Sequence, residues 1–290
     1  MSPLRAKMIE QMQLHRKAPG TQDQYVQAIY RLAAYYKRSP DQLSSQEIRH
    51  YLHHLLTERQ LAWSSCNVVA AAIRFFYVDT LGWTPMQLNL PPRPAHKQLP
   101  RVLSVEQLEH LFATTDNPKH RALLMTAYAA GLRVSEGVRL QVHDIESDAS
   151  RMLIRINQGK GNKDRYSLLS ERLLVELRAY WKIERPRPWL FPGSKTHHPM
   201  PSGTAQKIYH QARGRAGMEH GSGFHTLRHS FATHLFDAGV DPHTIQLLLG
   251  HRSIKTTLKY VHVSRRHLVH VRRPLDLLCF ESATLKALME

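Results

Sequence analysis

The sequence predicts a mainly α-helical protein with a small antiparallel β-sheet, organised as two domains. Apolar residues recur every three or four positions through most of the 290 residues, which is the spacing of one helix face. Between residues 151 and 169 the spacing changes to two, which is typical of a β-hairpin. Residues 91–101 contain four prolines and no helical spacing, so they predict an extended linker between domains at 1–90 and 102–290.

The N-terminal domain is predicted to contain about four helices. Residues 1–20 are compatible with a leading helix, and residues 25–36 carry the apolar spacing of a second. Ser44 and Glu47 form a capping box for a third, and residues 68–78 predict a fourth. Basic side chains fall on these helices at Arg31, Lys37, Arg38, Arg49 and Arg74. By themselves, such charges more often mark solvated helix surfaces than a binding site.

The second domain opens with helices whose boundaries are marked in the sequence. Ser104 and Gln107 form a second capping box. Asn117-Pro118 is predicted to start another helix, and Gly131 is predicted to end it. Arg133 follows that glycine, where we expect the chain to turn into a further short helix.

The alternating stretch predicts the one β-hairpin of the chain. Apolar residues alternate from Met152 to Ile156, residues 159–163 form a Gly-rich turn, and residues 166–169 return as the second strand. The ordinary explanation of Lys160 is a solvated lysine in a basic turn, unless a functional site requires a lysine there. Helices are predicted to resume at residues 170–182 and 205–215.

Residues 223–260 predict three short helices. Gly239 ends the first, Asp241-Pro242 starts the second, and Gly250 closes it. Ser253 is predicted to cap the third.

The helical geometry of this stretch predicts which side chains face the core. The first helix is expected to bury Leu227, Phe231 and Leu235. His225 and Arg228 are then expected to face outward together. The third helix is expected to bury Ile254, Leu258 and Val261, which leaves Tyr260 about 120° from that apolar face. A tyrosine held off the core, near two histidines and an arginine, indicates chemistry.

The charge of the chain indicates a polyanionic partner. Forty Lys and Arg residues oppose 23 Asp and Glu residues, which gives a formal net charge of +17. Nucleic acid is the expected partner, with an anionic membrane surface as the second choice. We find no apolar run long enough to span a membrane and no signal-peptide segment. Cys66 and Cys279 are too few for a disulfide framework, so we expect a cytoplasmic protein.

Two kinds of site are disfavoured by spacing. The chain has 20 histidines, but no His-Glu-x-x-His motif, no cysteine pair and no carboxylate placed to complete a metal site. Gly159 and Gly161 lack the remaining glycines of a nucleotide-binding loop. We therefore expect neither a metal nor an organic cofactor.

Six residues together suit the chemistry of a phosphodiester: Arg133, Lys160, His225, Arg228, His251 and Tyr260. Two arginines can hold the non-bridging oxygens through charge-assisted hydrogen bonds. A tyrosine hydroxyl can form the covalent link, and a histidine can exchange its proton near neutral pH. A lysine in a hairpin turn can protonate the departing 5′ oxygen.

The motifs around these residues resemble those of the tyrosine recombinases, the phage-integrase family. They are Gly131-Leu-Arg-Val-Ser-Glu136, Gly159-Lys-Gly-Asn-Lys-Asp164, His225-Thr-Leu-Arg228, Leu249-Gly-His251 and Tyr260. Their order and spacing are similar to those of Xer-type and integron-type enzymes. The resemblance is specific over residues 100–265, and much less so over the N-terminal helices.

The resemblance implies a two-domain clamp around double-stranded DNA, formed by a helical core-binding domain and a catalytic domain. It also implies a homotetramer on two paired sites and strand exchange through a Holliday junction. We expect no membrane partner. By motif, Arg133 and Arg228 would hold the scissile phosphate, Lys160 would be the general acid, and His225 would assist proton transfer. His251 would contact the phosphate and Tyr260 would be the nucleophile. The tail 267–290 is longer than the short terminal helix usual in the family.

Two other functions stay open from the residues alone. A type IB-like topoisomerase shares this chemistry but does not pair two sites. A DNA-binding regulator would keep the clamp and make no use of the active site, which the complete set of six residues argues against.

Overall fold

The computed structural model describes residues 2–85, 101–157, 164–194, 197–218 and 223–260. The chain divides into two compact units, Met1–Lys97 and Gln98–Glu290. Most of the predicted linker lies outside the described residues, as do Lys160 and the tail 267–290. The predicted fold class, mainly helical with a small antiparallel sheet, is confirmed.

The first unit consists of helices packed around one apolar core. They are α1 (Pro3–Leu14), α2 (Pro19–Tyr36), a 3₁₀ turn (Pro40–Gln42), α3 (Ser45–Thr57), α4 (Trp63–Arg74) and a π-helical continuation (Phe75–Thr80). Ser44 and Glu47 form the predicted capping box of α3. The core brings together Leu32, Ile48, Ile73 and Phe76, which lie on four of these elements. Burying these apolar side chains stabilises the unit.

The described part of the second unit begins with five α-helices and a sheet. The helices are α5 (Val105–Ala113), α6 (Pro118–Ala129), α7 (Val134–Gly137), α8 (Glu171–Glu184) and α9 (Ser202–Arg215). The strands are β1 (Ile145–Glu146), β2 (Leu153–Ile156) and β3 (Arg165–Leu168), in that order and antiparallel. Between residues 223 and 260 lie three further helices: α10 (His225–Asp237), α11 (Pro242–Leu249) and α12 (Ile254–Thr257).

The sheet corrects one detail of the sequence prediction. The hairpin of β2 and β3 is present, with Ile154 paired to Ser167 and both side chains buried. A third strand, β1, pairs with β2 through Ile145 and Glu146. Two residues are too few to show an alternating pattern, so the sequence did not reveal this strand.

Most predicted helix ends are confirmed. Ser104 and Gln107 form a capping box, and the side chains of Asn117 and Asp241 accept backbone hydrogen bonds at the starts of α6 and α11. Gly250 ends α11 in the left-handed conformation. Ser253 precedes α12, but its side chain makes no capping hydrogen bond.

The predicted apolar face of α12 is wrong. The helix ends at Thr257, its buried residue is Thr257, and Leu258 is 40% exposed. One turn of helix is too short to present the three-residue stripe that the spacing suggested. Val261 lies outside the described residues.

Gly131 allows α6 and α10 to pack closely. Its φ is +58°, and a Cβ added there would lie 2.4 Å from Cδ1 of Phe231. Gly239 has a similar backbone, with φ of +83°, but an added Cβ meets nothing within 4 Å. Substitution of Gly239 therefore measures backbone strain alone, whereas substitution of Gly131 measures backbone strain together with steric overlap.

We expect Gly239→Ala to lower the free energy of unfolding by about 1–2 kcal/mol, the strain of a left-handed alanine. Gly131→Ala should lower it by about 1–3 kcal/mol more, because the new methyl group overlaps Phe231. Urea-induced unfolding of both variants measures the difference. Equal losses would show that the contact with Phe231 relaxes without strain.

Candidate active site

Arg228 lies inside the protein, which corrects the prediction that it faces outward beside His225. Its side chain is 0% exposed. Nη1 donates to the carbonyl oxygen of Gly131 at 2.7 Å, and Nη2 donates to that of Leu249 at 2.5 Å. Helical spacing places Arg228 near the apolar stripe as well as near His225, and these two carbonyls make its burial possible.

The buried guanidinium keeps some of its hydrogen-bonding capacity unused. Within the described residues, Nε of Arg228 has no hydrogen-bond partner. Burial, followed by the charge of Arg133, lowers the pKa of Arg228 to about 9, and Glu136 opposes this effect. The side chain therefore remains positively charged at neutral pH.

The carboxylate of Glu136 contacts three arginine side chains. Oε1 of Glu136 accepts hydrogen bonds from Nη1 of Arg133 at 2.6 Å and from Nη1 of Arg165 at 2.9 Å. Oε2 accepts from Nη2 of Arg165 at 2.9 Å and lies 3.7 Å from Nη1 of Arg228. We call these four side chains the Glu136 cluster. Three positive charges and one negative charge leave the cluster with a net charge of +2.

Each arginine of the Glu136 cluster comes from a different part of the second unit. Arg133 is the residue that precedes α7, and its backbone N–H also donates to Glu136. Arg165 begins β3, and its Nε donates to the carbonyl oxygen of Leu248 near the end of α11. Arg228 lies on α10. The Glu136 cluster thus connects the loop before α7, strand β3, and helices α10 and α11.

His225 remains exposed at the start of α10, as predicted. Its pKa is nevertheless lowered to about 4, because protein packs around the ring and because Arg228 and Arg133 are close. Its ring lies 4.6 Å from that of His229, with an angle of 87° between the planes. His225 is therefore a neutral imidazole at physiological pH.

His251 lies just after the left-handed Gly250, where the chain leaves α11. Its Nδ1 is 2.9 Å from Oγ1 of Thr257, and its ring stacks on that of Tyr260 with centroids 6.3 Å apart. Burial, followed by the charges of Arg228 and Arg133, lowers its pKa to about 3. The turn at Gly250 thus brings a neutral histidine against the tyrosine.

Tyr260 belongs to the core, which corrects the prediction that it is held away from it. It is 3% exposed and packs in a cluster with Phe231, Phe236, Ile245 and Leu249. Its phenol oxygen lies 3.0 Å from Nδ1 of His229. Burial raises the pKa of Tyr260, and Arg228 and Arg133 partly offset the effect.

The structure therefore brings together five of the six predicted residues. Arg133, Arg228, His225, His251 and Tyr260 are joined by shared contacts or by mutual effects on pKa. The sixth, Lys160, lies outside the described residues, in the segment between β2 and β3.

Three side chains of the site were not assigned a role from the sequence. Glu136 and Arg165 fall within or beside quoted motifs, but a buried carboxylate shared among arginines has no signal in linear spacing. His229 offered a signal, because it lies four residues after His225 on one face of α10. Its contact with Tyr260 spans 31 residues and depends on tertiary structure.

Groups of three or more potential metal-binding side chains are absent from the residues described by the structure. Within the same residues, no helix combines the length and the apolar character needed to cross a membrane.

Two family models match this arrangement of domains. The model described as the phage integrase family matches residues 101–267, which is more than half of the chain. The chain belongs to this family. The model described as the phage integrase N-terminal SAM-like domain matches residues 4–84.

Several relatives of this phage integrase align with almost the whole length of the chain. The protein y4qK of Sinorhizobium fredii is 41% identical over 96% of this chain and 90% of its own length. The tyrosine recombinase XerC of Lacticaseibacillus casei is 30% identical over 92% of this chain and 96% of its own length. The family predicted from the motifs is confirmed.

Solved structures with the same fold include recombinases bound to DNA. A lambda integrase tetramer bound to a Holliday junction matches with a TM-score of 0.70, at 15% identity over 89% of this chain and 76% of the integrase. The XerH recombinase in a post-cleavage complex with its palindromic difH substrate matches with a TM-score of 0.69, at 22% identity over 85% of this chain and 77% of XerH. At these identities the likeness establishes the fold.

The Glu136 cluster predicts a dependence of stability on pH. Burial alone raises the pKa of Glu136, but hydrogen bonds and charge from Arg165, with hydrogen bonds from Arg133, outweigh burial and hold the pKa at about 2. A folded-state pKa below the ordinary value of 4.5 means stabilisation that is complete above pH 4.5 and lost as the pH falls towards 2. The shift corresponds to about 3 kcal/mol.

We therefore expect Glu136→Gln to lower the free energy of unfolding by about 3 kcal/mol at pH 7. The difference from the unsubstituted chain should shrink below pH 4.5. Urea unfolding at several pH values measures it. Glu176→Gln is the control, because the ion pair of Glu176 with Arg121 is partly exposed and should contribute about 1 kcal/mol or less. A pH-independent loss in Glu136→Gln would contradict the role given to its charge.

Proposed function

We propose that this chain is a site-specific DNA recombinase that cuts and rejoins DNA strands through a covalent 3′-phosphotyrosine. The observation that carries the proposal is the excess positive charge of the Glu136 cluster beside the hydroxyl of Tyr260. Because Arg228 is fully buried and Arg133 and Arg165 are largely covered, this net charge of +2 is costly unless an anion approaches it, and a phosphodiester carries one negative charge. Membership of the phage integrase family supports the same conclusion.

The proposed reaction assigns one task to each residue. Arg133 and Arg228 hold the non-bridging oxygens of the scissile phosphate, where charge accumulates in the transition state. Tyr260 attacks phosphorus, so that a bond forms from its phenol oxygen while the bond to the 5′ oxygen breaks. Lys160 gives a proton to the departing oxygen. His225 assists proton transfer, and His251 contacts the phosphate.

The site must open before a phosphate can enter. Arg228 has no exposed surface and Tyr260 is almost fully covered, whereas Arg133 and His225 keep exposed surface. A phosphate therefore meets Arg133 and His225 first. Contact with Arg228 requires the side chains that cover it to move, and the favourable contact with the anion can drive this movement.

The proposal extends to the partners and the assembly. Double-stranded DNA is held by two domains, at 1–90 and 102–290, joined by the linker 91–101. Two paired sites are brought together by a homotetramer, and strands are exchanged through a Holliday junction. The lambda integrase structure, a tetramer on such a junction, supports this assembly for the fold. Because the proposed substrate is DNA, the proposal includes a cytoplasmic location.

The first test asks whether Tyr260 forms the covalent link. The protein is incubated with a pool of duplexes of randomised sequence, and covalent adducts are captured under denaturing conditions and sequenced. We expect Tyr260→Phe to bind the recovered duplex with near-unchanged affinity and to form no adduct, because only one hydroxyl is removed. Tyr128→Phe is the matched control, since the hydroxyl of Tyr128 also contacts a histidine, His234, at 2.9 Å.

An adduct that persists in Tyr260→Phe would refute the assignment of the nucleophile. Adduct capture, followed by assays on any recovered duplex, also distinguishes the three candidate functions. A regulator forms no adduct, a topoisomerase relaxes supercoiled DNA without joining two sites, and a recombinase exchanges strands between two copies of the duplex.

The second test concerns Lys160. We expect Lys160→Ala to slow cleavage of the recovered duplex by about 10²–10⁴-fold, the usual contribution of a positioned proton donor. Sulfur in place of the 5′ bridging oxygen departs without a proton, so this substrate should be cleaved at similar rates with and without Lys160. Arg228→Ala should show no such rescue, because it stabilises the non-bridging oxygens. If Lys160→Ala is equally slow on both substrates, the lysine is not the general acid.

A further inference from the structure

His229 contacts the proposed nucleophile, but the scheme above gives it no task. Its Nδ1 lies 3.0 Å from the phenol oxygen of Tyr260, within the range of a hydrogen bond. The two rings are tilted by 52°, with centroids 5.6 Å apart. A side chain at this distance can hold the hydroxyl and can also exchange its proton.

The other two histidines of the site contact Tyr260 differently. His251 stacks on the tyrosine ring, and its Nδ1 is engaged with Thr257. His225 meets the ring of His229 edge-on, at 4.6 Å between centroids. Among the described residues, the hydroxyl of Tyr260 is hydrogen-bonded to His229. His229 therefore differs from His225 and His251, the two histidines of the sequence motifs, because its ring nitrogen contacts the tyrosine hydroxyl.

We propose that His229 accepts the phenolic proton of Tyr260 during strand cleavage and returns it during ligation, which makes it a further catalytic residue. This inference rests on the proposed recombinase function. His225 would then act indirectly, because it contacts the ring of His229 and not the tyrosine oxygen.

The proton and the electron pairs balance in this step. The phenol oxygen forms a bond to phosphorus as its proton passes to the lone pair of Nδ1, and His229 becomes an imidazolium ion. The bond from phosphorus to the 5′ oxygen breaks, and that oxygen takes a proton from the general acid. In ligation the 5′ hydroxyl attacks phosphorus and returns its proton to the general acid, while the phenol oxygen departs and takes its proton back from Nδ1.

The surroundings of His229 keep its ring neutral before substrate binds. Burial, followed by the neighbouring imidazole of His225 and the positive charges of Arg228 and Lys259, lowers its pKa to about 4. The ring is therefore neutral at physiological pH, and we place its own proton on Nε2, which leaves the Nδ1 lone pair facing the hydroxyl. A phosphate anion that enters the site would favour the protonated ring, so substrate binding would make His229 a stronger base.

His229→Asn is the informative variant. An asparagine side chain can place an oxygen near the former position of Nδ1 and accept a hydrogen bond from the tyrosine, but it takes up no proton in this pH range. We expect single-turnover cleavage of the duplex recovered with the unsubstituted chain to slow by about 10²–10⁴-fold, with DNA binding retained.

His234→Asn is the matched control. His234 lies on the same helix, and its Nδ1 is 2.9 Å from the hydroxyl of Tyr128, which is not part of the site. The substitution thus alters a tyrosine–histidine contact of the same kind. We expect cleavage by His234→Asn at close to the unsubstituted rate.

A fluorinated tyrosine at position 260 distinguishes proton transfer from packing. A polyfluorinated phenol ionises near neutral pH, so it needs much less help from a base. With this nucleophile, the ratio of cleavage rates between the protein that keeps His229 and the His229→Asn variant should fall towards one. Comparing rates within the same nucleophile removes its lower intrinsic reactivity from the ratio.

The outcomes separate this inference from the proposed function. Cleavage by His229→Asn at the unsubstituted rate would overturn the inference and leave the Tyr260 adduct intact. A defect of equal size with tyrosine and with the fluorinated tyrosine would assign His229 a packing role and would also overturn it. If the unsubstituted chain forms no adduct at Tyr260, the proposed function fails and the inference fails with it. Should His229→Asn lose DNA binding, His229→Gln replaces it, because its longer amide also takes up no proton, and the same two outcomes then decide the inference.

Discussion

The charge distribution around Glu136 is the constraint on which the active site depends. A buried guanidinium is stable only where carbonyl or carboxylate oxygens replace its water. Glu136 provides those oxygens for Arg133 and Arg165, while Arg228 relies mainly on the carbonyls of Gly131 and Leu249. Since these groups come from separate elements, the position of the carboxylate fixes how a loop, a strand and two helices meet.

Two glycines make this convergence geometrically possible. Gly131 and Gly250 both have positive φ, and each turns the chain next to a carbonyl that Arg228 uses. An added Cβ would meet Phe231 at 2.4 Å in the first case and Cδ of Arg165 at 2.9 Å in the second. These glycines therefore end α6 and α11 and also leave space for the side chains of Phe231 and Arg165, which a Cβ would overlap.

The same network explains the protonation states around Tyr260. Burial and the nearby guanidinium groups disfavour charged imidazoles, so His225, His229 and His251 are neutral. Burial makes ionisation of Tyr260 harder, and the arginines make it easier. In the covered site the tyrosine keeps its proton. The chemistry that we propose begins when an anion enters, because it compensates the charge of the Glu136 cluster and shifts the histidines towards protonation.

The sequence by itself determined the family, the fold class, most helix boundaries and the identities of the chemical groups. These are local properties: caps depend on a few neighbouring residues, and the motifs are short. Only the tertiary structure decided that Arg228 and Tyr260 are buried, that Arg165 shares Glu136, and that His229 contacts the tyrosine. Arg228 was misplaced because a charged side chain is expected to face solvent, although helical spacing also puts it near the apolar stripe. Carbonyls and a carboxylate distant in sequence supply the oxygens that replace water, and this exchange has no signature along the chain.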